Sequence, residues 1–147
     1  MNVREATESD AVRLAALSTQ LGYPTTPEQA VERLRALRER PANEILVAED
    51  AEDGGTVIGW LHVCVMHFFE SPPFTEVGGL VVDEAWRGRG VGKRLVNEAA
   101  RWAAERGFSK LRVRSNTVRT DAHRFYEREG FERTKTQVVL DRDLDKD

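Results

Sequence analysis

Cysteine is almost missing from this chain: Cys64 is the one thiol in 147 residues. No intrachain disulfide can form, and the cysteine usage does not imply an oxidising compartment. Long apolar runs are missing too. No stretch approaches the roughly 20 residues of a membrane span, and the opening MNVREATESD is charged, without the apolar core of a leader. The expected address is therefore the cytoplasm, with no membrane partner. A surplus of positive charge is also lacking, since 22 basic against 25 acidic residues give a net charge of −3. That balance argues against a dedicated nucleic-acid binder. Internal repeats, linkers and low-complexity segments do not occur, and only the terminal DRDLDKD reads as a frayed tail.

What is present suits one compact domain over residues 1–147, with 40% apolar residues to build its core. NVREA reads as a first strand, and TESD supplies capping residues ahead of Val12, Leu14, Ala15, Leu17 and Leu21, with Gly22 as the stop. Thr26, Pro27 and Gln29 form the capping-box signature of a second helix, whose stripe is Val31, Leu34 and Leu37. ILVAED and TVIGWLHVCVMHFF read as a hairpin around EDGG, followed by the loop ESPPF and a valine-rich strand, TEVGGLVVD. From Val91, the positions Leu95, Ala99, Trp102 and Ala103 fall at helical spacing up to Gly107. KLRVRSN is a strand, TDAHRFYEREG a short helix, and FERTKTQVVLDRDL terminal strand material. The order βααβββαβαβ predicts a mixed α/β fold around a largely antiparallel sheet, with parallel pairing through helical crossovers.

One segment conflicts with ordinary helix electrostatics. WRGRGVGKR places Arg87, Arg89, Lys93 and Arg94 where a helix begins, although exposed NH groups there favour anions. The Rossmann fingerprint would need glycine at position 93, and the Walker loop would need glycine at 87 and Ser or Thr at 94. What remains is R-x-x-G-x-G between a strand and a helix, a turn whose glycines let the backbone approach a ligand and whose cations pair with phosphate oxygens. The turn suits a pyrophosphate; an exposed basic reversal is the simpler alternative.

In this context TEVGGLVVDEAWRGRGVGKRLVNEAARWAAERGFSKLRVRSN, with DAHRFYEREGF downstream, resembles the acetyl-CoA-binding core of the GNAT superfamily of N-acetyltransferases. The likeness is close over residues 75–131, and the element order extends it. It implies a sheet of six to seven strands with about four helices, and acetyl-CoA as co-substrate. It also implies that the backbone of Leu80, Val81 and Val82 receives the pantetheine arm, that Arg87, Gly88, Arg89, Gly90, Val91, Gly92 and Lys93 hold the pyrophosphate, and that Asn116 contacts pantetheine. The helix bearing His123, Phe125 and Tyr126 would flank the thiol, with Tyr126 as proton donor to the leaving thiolate. Dimers are common in the family, so a homodimer is compatible, but no stretch specifies an interface.

Acetyl transfer to an amine needs a proton acceptor, because an ammonium has no lone pair. Glu76, near the start of the strand that ends at Val82, is the candidate base, directly or through water; a solvated loop-edge residue is the alternative. Tyr23, His67, Phe68 and Arg114 join Glu76 as candidate acceptor-binding residues. His62 and His67 lie on opposite faces of a regular strand, so no metal pair is predicted. His123 precedes Glu127 at the spacing of a surface pair. Cys64 reads as a core residue, which favours direct attack over a covalent acetyl-enzyme. The leading expectation is N-acetylation of a small primary amine. The LGYP segment and NTVRTDAHRFYEREGFERTK resemble aminoalkylphosphonate N-acetyltransferases and related small-amine enzymes. Protein or peptide acetylation, and a non-catalytic acyl-CoA sensor, are the alternatives.

Overall fold

The computed structural model describes residues 1–145. The chain divides into two compact units, Met1–Arg114 and the remainder from Ser115. The first unit contains β1 (Asn2–Glu5), α1 (Ala11–Leu21), α2 (Pro27–Arg38), β2 (Asn43–Asp50), β3 (Thr56–Met66), β4 (Phe74–Val82), α3 (Val91–Glu105) and β5 (Leu111–Val113). The second contains α4 (Thr120–Arg128).

Local chemistry sets the helix starts. Thr26 Oγ1 accepts from the Gln29 amide at 3.1 Å and Gln29 Oε1 accepts from the Thr26 amide at 3.0 Å, with Pro27 at the first helical position. α1 enters through a 3-10 turn at Glu8–Asp10, where Asp10 Oδ2 accepts from the Thr7 amide at 2.8 Å. Asp10 is also the buried acid of the unit, 8% exposed, and it receives both Arg4 Nη1 at 2.8 Å and Nη2 at 2.9 Å. Arg4 Nε donates to Glu49 on β2 at 2.9 Å. One guanidinium thereby ties β1, β2 and the start of α1 together.

The sheet runs β1-β2-β3-β4-β5 in space, antiparallel through β4 and parallel between β4 and β5. Val47, Trp60 and Val81 share one register row and pack with Leu14, Leu17, Ala30 and Leu34 of α1 and α2. The adjoining row holds Ala48, Gly59 and Val82, and side chains of successive rows point to opposite faces. On that second face α3 buries Val91, Leu95, Ala99 and Trp102. Gly59 lets α3 approach, because a Cβ there would lie 3.0 Å from the Val81 carbonyl oxygen and 3.2 Å from both Val91 Cγ1 and Leu95 Cδ1.

The sheet has five strands, not six to seven. FERTKTQVVLDRDL forms no strand over its described residues, and Val138, Val139 and Leu140 are exposed. Its alternation supplies β propensity, but a strand also needs a ladder partner for its amides and carbonyls. β3 likewise stops at Met66, so His67 lies beyond the strand and the expectation about its face does not apply.

Two stability predictions follow from these contacts. Gly59→Val should cost about 1–3 kcal/mol through overpacking, read from urea unfolding. Hydrogen bonds from Arg4 hold the Asp10 carboxyl below its ordinary range. A depressed carboxylate pKa gives stability that is complete above the unfolded value of about 4 and is lost as pH falls through the folded value. Unfolding free energy should therefore decline below about pH 4, and Asp10→Asn should flatten that decline.

Candidate functional site

β4 is bonded to β3 along its whole length, whereas its other neighbour is short. The parallel ladder joins only Thr75 to Leu111, Glu76 to Arg112 and Val77 to Val113. Among the described residues, no strand pairs with the β5-facing edge of β4 beyond Val77, from Gly78 to Val82. Alternate NH and C=O groups there are available to an extended ligand. Leu80, Val81 and Val82, the expected pantetheine residues, lie on this free edge. Gly78 is the one exposed residue of β4.

The strand runs into the basic turn through a single 3-10 turn, Glu84–Trp86. Asp83 fixes that passage: Oδ1 accepts from the Ala85 amide at 3.0 Å and Oδ2 from Arg13 Nη2 at 2.7 Å. Arg13 Nε also donates to the Val57 carbonyl at 2.9 Å, so α1 grips both β3 and the turn. The Ala85 amide, then Arg13, holds the Asp83 carboxyl below its ordinary range. Sequence reading missed this clamp. Seventy residues separate its partners, and neither carries a motif.

Gly88 and Gly90 have φ of 76° and 82°, the left-handed region that favours glycine, and no atom lies within 4 Å of where their Cβ atoms would be. α3 then begins with no side-chain cap and no acidic residue in its first turn. Arg87, Arg89, Lys93 and Arg94 make no salt bridge among the described residues, although Arg89 lies 4.9 Å from the Trp86 ring centroid. Uncapped amides, open glycines and unpaired cations occur together, and this is a set of donors that fits a pyrophosphate.

At the other end of β4, Glu76 Oε1 accepts from Arg114 Nε at 2.9 Å, and the Glu76 side chain is only 12% exposed. Arg114 follows directly after β5, so the pair sits where β4 and β5 part. Arg112 lies over the Phe74 ring at 4.3 Å, and Phe68 stacks on Phe74 with centroids 5.9 Å apart. Phe68, Phe74, Arg112, Glu76 and Arg114 thus line the two strand ends. Tyr23 is 68% exposed just past α1, and His67 is exposed past β3. Neither side chain hydrogen-bonds to Glu76 or Arg114. Cys64 is buried, and burial raises its thiol above the ordinary value, which disfavours the nucleophilic thiolate.

In the second unit, Asn116 Oδ1 accepts from the Val118 amide at 3.1 Å, and the Asn116 carbonyl accepts from His123 Nε2 at 2.9 Å. The spacing-based pairing of His123 with Glu127 does not form; Glu127 accepts from Arg133 Nε at 3.1 Å instead. The Tyr126 ring meets Phe125 and Phe131 edge-on, at 5.1 and 5.4 Å. Burial raises its phenol above the ordinary value, so at neutral pH it is a proton donor.

The acetyltransferase (GNAT) family model matches residues 11–131. The chain is 30% identical over 142 residues to an aminoglycoside N(6')-acetyltransferase type 1 of Stenotrophomonas maltophilia, covering 94% of this chain and 90% of that one. It is 35% identical over 130 residues to the N-alpha-acetyltransferase RimI of Mycobacterium tuberculosis, covering 86% and 75%. The fold matches the structure of AAC(6')-Iy in complex with a bisubstrate analogue at a TM-score of 0.85 and 18% identity, covering 97% and 98%. The uncapped turn and free strand edge therefore belong to a member of the GNAT acetyltransferase family, an N-acetyltransferase that uses acetyl-CoA.

Proposed function

We propose that this enzyme moves the acetyl group of acetyl-CoA to a primary amine of a small molecule, by direct attack in a ternary complex. The observation that carries the reading is the Glu76–Arg114 pair at the parting of β4 and β5. It sets a carboxylate and a guanidinium at the end of the edge that would receive the thioester arm. Leu80 to Val82 offer backbone groups to pantetheine, and an amide near Val81 stabilises the carbonyl oxygen as it becomes negative. The amides from Arg87 to Lys93 receive the pyrophosphate, and the family resemblance assigns Asn116 and His123 to the cofactor as well.

In the reaction the amine nitrogen forms a bond to the carbonyl carbon and the C–S bond breaks. Glu76 takes a proton from the incoming ammonium, directly or through water, and Tyr126 supplies one to the departing sulfur. Arg114 orients Glu76 and favours an acceptor that carries a negative group of its own. Tyr23, His67 and Phe68 complete the acceptor side. The relatedness to RimI supports a second reading, N-terminal acetylation of a peptide.

Thiol release with kanamycin, 2-aminoethylphosphonate and a short peptide with a free N-terminus decides between the readings; turnover with the peptide alone would overturn the small-molecule one. Glu76→Gln should lower kcat by about 10²-fold with acetyl-CoA affinity unchanged, and Tyr126→Phe should lower kcat without raising KM for the donor. Unimpaired turnover in both variants would remove these residues from the mechanism. Replacing Arg87 and Arg89 by Gln should instead weaken acetyl-CoA binding, by about tenfold or more at low salt, and the difference should shrink as salt rises.

A further inference from the structure

A primary ammonium gives up two protons on becoming an amide. One leaves before attack, to free the lone pair, and one leaves the tetrahedral adduct, whose nitrogen is again positive. Glu76 accounts for the first, so the second needs its own acceptor beside the carbonyl carbon.

His62, on β3, is a half-buried titratable group with no role so far. Its Nε2 lies 2.9 Å from Asn43 Oδ1. An amide oxygen only accepts, so Nε2 carries the hydrogen and Nδ1 keeps its lone pair. Among the described residues nothing donates to that lone pair. A Cβ on Gly78 would fall 2.6 Å from Nδ1, so the imidazole occupies the space that a side chain at position 78 would need. Gly78 lies in the β-bulge between His62 and Val63, is the exposed residue of β4, and is the first residue past the last β4–β5 pair.

We propose that His62 takes the second proton: its free Nδ1 abuts β4 where the strands part, one strand position past Val77 and two past Glu76. This rests on the reading that the thioester lies along β4. In the step, the C–N bond is already formed, the N–H bond of the adduct breaks toward Nδ1, and the C–S electron pair leaves with sulfur, which Tyr126 protonates. Glu76 and the imidazolium then release their protons to solvent, and the Tyr126 phenolate regains one from it.

The surroundings favour a neutral imidazole. Burial lowers the His62 pKa below its ordinary value, so the acceptor form dominates at neutral pH. On β2 the register neighbour is Ile45, beside the neutral Asn43. On β4 the charged neighbour is Glu76, paired with Arg114, and on β3 the titratable neighbour is Cys64. The inward residues of α1 and α2 are the apolar Leu14, Leu17, Ala30 and Leu34, and Arg13 is bound to Asp83.

The test compares wild type with His62→Gln, using kanamycin, 2-aminoethylphosphonate and the peptide as acceptors, and adds 15N NMR of histidine-labelled wild type. The expected result is a kcat about 10²-fold lower, loss of the acidic limb of the kcat–pH profile, and unchanged acetyl-CoA affinity. In the wild type, NMR should show the Nε2–H tautomer and an Nδ1 signal that moves when amine is added to the CoA-bound enzyme. An unchanged acidic limb in His62→Gln, or an Nδ1 that is protonated or unresponsive, overturns the proposal while leaving the donor site standing. Failure of the wild type to bind acetyl-CoA would overturn the donor site and this proposal together. The NMR measurement decides the matter if His62→Gln does not fold.

Discussion

Backbone groups that lose their ladder must find another partner, and this constraint organises the first unit. β4 and β5 share three register pairs and then part, so the second half of β4 keeps a row of donors and acceptors on its β5-facing edge. An edge of this kind is ordinarily a liability, a template for another chain. Here its neighbours hold it in place, and the proposed function gives it a ligand. Gly59 leaves room for Val91 and Leu95 of α3 against the sheet, and Arg13 anchors Asp83 at the far end. β4 is thus paired with β3 along one edge and, past Val77, unpaired along the other among the described residues.

Two kinds of charge management meet on that strand. At the turn, cations gather without a salt bridge to any acid among the described residues. At Glu76 a carboxylate and a guanidinium already satisfy one another in part, and the pair keeps its direction in the half-buried wall. Under the proposed function an acceptor amine would have to compete for a carboxylate that already has a partner, and an acceptor with a negative group of its own could answer Arg114. Oriented donors of this sort act through placement fixed before the reaction begins.

Much of this was legible in the residues. Helix starts were, because Thr26, Pro27 and Gln29 act over three or four positions of chain. The glycine turn ahead of α3 was as well, since R-x-x-G-x-G is contiguous and its cations contradict the helix dipole, and Gly88 and Gly90 do take the left-handed conformation. The clamp of Arg13 on Asp83 and the contact of His62 with Gly78 were not legible. Both depend on register between distant strands and on a bulge that shifts it, and no local pattern encodes either. The terminal strands fell short for the opposite reason: QVVL has the right propensity, but propensity supplies no partner.

The uncapped start of α3 has one further consequence. A helix lacking its cap is an unfinished element, and under the proposed function a pyrophosphate would supply the missing acceptor. Donor binding and the ordering of that first turn would then be one equilibrium, each strengthening the other by the same amount. Local stability at the head of α3 would then report the supply of acetyl-CoA, with the co-substrate as a removable piece of the fold.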